Sequence, residues 1–99
     1  MAARLEAAAV PLLPGALELA SAGVASALAP GNRAVTIGRL VMAEGPLKAL
    51  LHDPQTAGAL LAAVPPGEAV ALLAALRAQG LPAAQIGTVE AGPARLTVG

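Results

Sequence analysis

Few side chains in this sequence could do chemistry. The 99 residues include no cysteine and a single histidine, with six acidic and six basic residues. Without cysteine there is no thiol nucleophile, no disulfide and no thiolate metal site. One histidine cannot build a multi-histidine metal centre. That histidine, His52, follows Leu50-Leu51 at the end of a short apolar stretch. It could be a general base or a ligand, but no triad or second ligand set accompanies it. A polar cap on a helix C-terminus, where the dipole favours such a group, is the simpler role. The carboxylates Glu6, Glu18, Glu44, Asp53, Glu68 and Glu90 are dispersed, and no pair has a spacing that forces general acid–base geometry. Arg33 and Arg39 could reach a phosphate, although a solvated surface accounts for them as simply. No catalytic and no metal-ligating residue is therefore expected.

The one stretch with the makings of a site is Asp53-Pro54-Gln55-Thr56-Ala57-Gly58. It is a turn. Asp53 can accept backbone N–H bonds across it, Pro54 fixes one dihedral, Thr56 offers a hydroxyl, and Gly58 permits close approach of a backbone or a ligand. The turn can be structural, or it can bind an anion. A single glycine makes a weak phosphate loop. Asp53, Gln55, Thr56 and Gly58 are the candidate cofactor contacts.

Composition excludes several classes of partner. Formal net charge is zero, so there is no electrostatic footprint for nucleic acid or for an anionic membrane. Phe, Tyr and Trp are absent, which removes base-stacking platforms and aromatic cages. The hydrophobic fraction is 57%, much of it Ala. No apolar run approaches the roughly 18–20 residues of a membrane span. Met1 to Gly23 has an early Arg4 and small residues at positions 20–22, superficially like a secretory signal. Glu6, Glu18, Pro11 and Pro14 break that pattern.

The elements that must position the turn follow from punctuation by Pro and Gly. Arg4 to Val10 reads as an extended segment ending near Pro11, although its Ala content also suits a helix. Pro14 opens a helix with Leu17, Ala20, Val24 and Leu28 on one face, which Gly23 can end early. Pro30-Gly31-Asn32 reads as a turn. Alternation of Val35, Ile37 and Arg39 with Thr36 and Gly38 allows a strand within Arg33 to Met42. Pro46 opens a short helix, Leu47 to His52, stopped by Asp53-Pro54. Ala59 to Val64 is a continuous apolar run of strand length and reads as a buried strand. Glu68 to Gln79 is a helix, with Glu68 in its first turn, Arg77 in its last and Gly80 as its cap. Gln85 to Glu90 reads as a strand with a bulge at Gly87, because Ile86 and Val89 differ in parity. Ala91-Gly92-Pro93 is a turn, and Arg95 to Val98 a last strand. The C-terminal half is thus strand, helix, strand, strand, which implies an α+β fold, an α/β sandwich.

Four segments carry a family resemblance. Asp53-Pro54-Gln55-Thr56 followed by small residues and Leu60-Leu61 resembles the Asp-Pro-Gln-Thr-Ser-Gly-Gly-Leu-Leu signature of selenophosphate synthetases (selenide, water dikinases). Val10-Pro11-Leu12-Leu13-Pro14-Gly15-Ala16 is similar to their Leu-Pro-Leu-Leu-Pro-Gly segment. Pro65-Pro66 with its following helix is the third match. Ala84-Gln85-Ile86-Gly87-Thr88-Val89, like the family's Ala-x-Ile-Gly-x-Val, is the fourth. They occur in family order between about Leu5 and Val98. Where the family has Ser-Gly-Gly this chain has Ala57, Gly58 and Ala59: a hydroxyl is lost and one flexible position is filled.

The resemblance implies a C-terminal domain of the fold shared with aminoimidazole ribonucleotide synthetase. In the family an N-terminal domain carries the Cys or selenocysteine nucleophile, a Lys, a glycine-rich region and magnesium-binding aspartates. None of these is in this sequence, nor is the Thr-Gly-Phe-Gly segment that starts the C-terminal domain. Residues 1–99 are therefore expected to be a single, incomplete C-terminal domain without activity of its own. Mg and ATP are implied for the full-length family, and no cofactor is expected on this chain itself. The expected partner is the catalytic N-terminal domain, or another copy met through exposed apolar surface. Neither nucleic acid nor membrane is expected. The family and the lack of cysteine both suit a cytoplasmic location.

Overall fold

The computed structural model describes residues 1–55 and 58–99. Among them the order is β1 (Ala2–Leu5), a single 3-10 turn (Ala7–Ala9), α1 (Ala16–Ser21), α2 (Ala29–Thr36), β2 (Leu40–Met42), α3 (Pro46–Leu51), α4 (Pro66–Ala78), β3 (Gly87–Glu90) and β4 (Arg95–Val98). The strands form one mixed sheet in the order β2-β4-β1-β3. β1 runs antiparallel to β3 and parallel to β4, and β4 runs parallel to β2. This is the expected α+β class.

Register sorts the side chains of the sheet into two faces. Leu40, Leu96, Ala3 and Val89 lie in one cross-strand row, and Met42, Val98, Leu5 and Gly87 lie in the next row on the same side. Every member is apolar, as a face turned to a core requires. The opposite face carries Val41, Thr97, Arg4 and Thr88, then Arg95, Ala2 and Glu90. There Arg4 Nε lies 3.7 Å from Glu90 Oε1. Among the described residues, Val98 and Ala29 are the buried apolar side chains. Leu5, Leu40, Met42 and Leu96 are half-buried.

Helix ends follow the glycines. Past α1, Gly23 adopts φ 86°, and the Gly23 and Val24 N–H groups return to the Ala20 and Leu19 carbonyls at 3.1 and 3.0 Å. α4 closes the same way: Gly80 has φ 78°, with Gly80 N–H on Arg77 O at 2.9 Å and Leu81 N–H on Leu76 O at 3.2 Å. Both are six-to-one helix stops that need a left-handed residue. α3, α4 and β4 fall within two residues of their expected bounds. The extended segment expected over Arg4 to Val10 is corrected: the strand is Ala2–Leu5, and Ala7–Ala9 form a 3-10 turn, in keeping with the helix preference of alanine.

Four further expectations are corrected. Pro30-Gly31-Asn32 is the first turn of α2, not a free turn. A first-turn residue has no intrahelical partner for its N–H, so proline costs nothing there, and Asn32 N–H already reaches Leu28 O at 3.3 Å. The strand allowed within Arg33 to Met42 shrinks to β2, because α2 continues to Thr36. Ala59 to Val64 is not a strand, and Leu60 and Leu61 are 97% and 78% exposed. Two adjacent leucines point to opposite sides of an extended chain, and the alanines around them have little strand preference. The C-terminal half is consequently helix, strand, strand. Finally, β3 pairs residue for residue with β1, without a bulge. Ile86 lies before the ladder and accepts from Glu6 N–H at 2.8 Å, so its parity carries no information about β3.

Candidate functional site

The Asp53 turn begins where α3 stops. Pro46 fits the first turn of α3, whose N-cap is Gly45, and His52 is the C-cap, its N–H bonded to Ala49 O. Asp53 N–H continues the same descent onto Leu50 O at 3.0 Å, and Gln55 N–H then reaches Asp53 O at 2.8 Å. Backbone groups therefore close the turn. The side chains of Asp53 and Gln55 face solvent, and Pro54 is half-buried. Gly58 is exposed, and a Cβ built on it would meet Gln55 Cγ at an ordinary 3.5 Å. Nothing in the described packing demands glycine there. Thr56 lies outside the described residues.

A denser set of polar groups sits beside this turn, between α2 and α3. Arg33, Thr36, Glu44, Lys48 and His52 line one hollow, with Ile37 and Leu40 as its apolar wall. Glu44 joins the two cations: Arg33 Nη1 donates to Oε2 at 3.3 Å, and Lys48 Nζ donates to Oε1. The hydrogen bond from Lys48, helped by the charges of Lys48 and Arg33, holds the Glu44 carboxyl below its ordinary value.

His52 is 4% exposed and is the buried polar residue among those described. Its Nδ1 lies 2.7 Å from Lys48 O, its Nε2 lies 2.9 Å from Thr36 Oγ1, and its carbonyl accepts from Asn32 Nδ2 at 2.9 Å. The helix-cap role expected of His52 is the one observed. Its burial and its bond to Thr36 were not foreseen. Asn32 and Thr36 stand four apart, on one face of a helix, but the Pro-Gly-Asn sequence disguised that helix. The structure thus brings Arg33 and His52 together, while Arg39 lies outside the hollow's lining.

This arrangement can hold two helices and the start of a turn in fixed relation. Ser21 Oγ donates to Leu17 O and Ser26 Oγ accepts from Leu28 N–H, so each hydroxyl is engaged locally. Among the described residues no three of His, Asp and Glu come together as a metal-binding group, and no helix is long and apolar enough to cross a membrane.

The four-stranded mixed sheet with its helices defines the class. Residues 3–99 match the family described as AIR synthase related protein, C-terminal domain, and the chain belongs to that family. Within it, the chain is 44% identical over 96 residues to a selenide, water dikinase of Pelobacter propionicus, with 91% of this chain and 27% of that protein covered. It is 38% identical over 88 residues to a selenide, water dikinase of Agathobacter rectalis, with 86% and 26% covered. The chain spans about a quarter of the length of these curated relatives.

Proposed function

We propose that residues 1–99 form a C-terminal portion of a selenide, water dikinase, and that they serve the enzyme by docking to its catalytic domain. The observation that carries this reading is the identity of 38–44% to two such enzymes, confined to about a quarter of their length. The family reaction implied by the resemblance converts ATP, selenide and water to selenophosphate, AMP and phosphate, with magnesium. The described residues of this chain supply no nucleophile to it. Asp53, Gln55 and Gly58 are solvent-exposed in the segment that follows α3, and a surface brought by that domain would dock over this segment. A cytoplasmic location belongs to the same proposal and is tested by cell fractionation.

Selenide-dependent AMP formation by the isolated chain is the first test, and none is expected. Clear turnover would overturn the division of labour. The second test titrates the chain into the catalytic domain of the Pelobacter propionicus enzyme lacking its own C-terminal quarter. Saturable binding is expected, and its absence would overturn the docking role.

A second reading, a self-associating module, is favoured by exposed apolar side chains. Leu60, Leu61 and Val70 are mostly open to solvent. Sedimentation at rising concentration is expected to show association if these surfaces meet in pairs. A compact monomer throughout would remove this reading and leave docking alone.

A further inference from the structure

A neutral His52 ring cannot complete every hydrogen bond within reach of it. Lys48 O is a carbonyl and only accepts, so the 2.7 Å contact with Nδ1 requires a hydrogen on Nδ1. Thr36 Oγ1 donates to another carbonyl, Arg33 O, at 2.9 Å. A hydroxyl has one hydrogen, so while that hydrogen serves Arg33 O, Oγ1 offers only a lone pair to His52 Nε2, 2.9 Å away. That last link forms only if Nε2 carries a hydrogen too. All three links are made when both ring nitrogens are protonated. A neutral ring leaves one of the three links without a hydrogen, inside a site where His52 is 4% exposed.

From this we infer that His52 is a proton-dependent latch between α2 and α3. With the proton bound, Arg33 O, Thr36, the ring and Lys48 O form one continuous chain from the last turn of α2 to the body of α3. When the proton leaves, the Thr36 hydroxyl must choose between Nε2 and Arg33 O, and the chain opens at one link. Asn32 also holds the His52 carbonyl. The same event therefore loosens the hold of α2 on His52, the residue from which Asp53 departs.

The charges around the ring come from each packed element. Arg33 on α2 and Lys48 on α3 oppose a cationic ring. Glu44, from the β2–α3 connection, bonds both and offsets one of them. α1, which packs on α3, brings Glu18; Asp53 follows the ring in sequence; β2 brings no titratable group. The inference does not depend on the proposed selenium chemistry.

The chain's single histidine makes the test direct. Nitrogen-15 NMR of the ring in the intact chain, followed between about pH 5 and 8, is expected to show two protonated nitrogens at the acidic end. On loss of one proton, amide-exchange protection in α2 should fall. A ring that stays neutral, with Nε2 unprotonated across the range, would overturn the latch. So would α2 protection that ignores the titration. Thr36→Val supplies an independent arm. Its stability deficit against wild type should be largest at acidic pH and shrink as pH rises, with Thr36→Ser restoring the wild-type profile. A deficit independent of pH would overturn the latch as well. If Thr36→Val does not fold, the wild-type ring spectrum still decides.

Discussion

Gly87 stands in β3 opposite Leu5 of β1. A Cβ there would lie 2.0 Å from the Arg4 carbonyl oxygen, a distance that only backbone displacement relieves. Gly87→Ala is expected to destabilise the chain by about 1–3 kcal/mol, the usual cost of forced overpacking, as read from denaturant midpoints. Glu44 predicts a pH dependence. Its carboxyl is held below the ordinary 4.5 mainly by the Lys48 hydrogen bond. A group depressed in the folded state favours folding above its unfolded value, and that contribution is lost as pH falls through the folded one. The stability gap between wild type and Glu44→Gln should therefore be present near neutrality and close as pH drops below 4.5. Glu44 is solvent-exposed, so the gap is small and should shrink with added salt. At this scale the sequence disclosed which residues could matter more readily than what they touch. His52 was readable as a helix cap from its place after Leu50-Leu51. Its hydrogen bond to Thr36 joins two helices sixteen positions apart, and local pattern does not encode such a contact.

The helices show which signals are local. α4 announces itself by Pro66, Glu68, Arg77 and Gly80, all within or beside it. Each acts through the helix's own backbone or dipole, so no knowledge of tertiary packing is needed. Gly80 takes the left-handed conformation, φ 78°, and nothing lies within 4 Å of a Cβ built there. Gly80→Ala thus isolates the conformational cost, expected at about 1–2 kcal/mol and measurable by thermal unfolding. Ala59 to Val64 is the opposite case. An apolar run means a buried strand only if a ladder receives it. Here β1 pairs with β3 and β4 instead, and residues 59–64 lie outside the sheet. Strand partners are chosen by the whole chain, which is why β4 was legible as an extended segment but its place beside both β1 and β2 was not.

Over the whole molecule, apolar content and burial do not match. The chain is 57% hydrophobic, yet among the described residues only Ala29 and Val98 are buried apolar side chains. Small domains are marginal even with a filled core. Val98→Ala is expected to remove about 2 kcal/mol, on the order of a buried valine's contribution, which is a large share of the total. Circular dichroism melting of the pair would show it. The family was legible from four short segments in order, each built around Pro or Gly. The half-covered sheet was not legible, since coverage depends on what surrounds the chain. The central pair of that sheet, β1 beside β4, joins strands separated by almost the full sequence. On a translating ribosome β1 emerges well before its two partners, and β3 and then β4 must clear the exit tunnel before the centre of the sheet can close. Closing so long a loop before any central contact forms is slow. During synthesis the helices can form early, but the sheet that organises them assembles last.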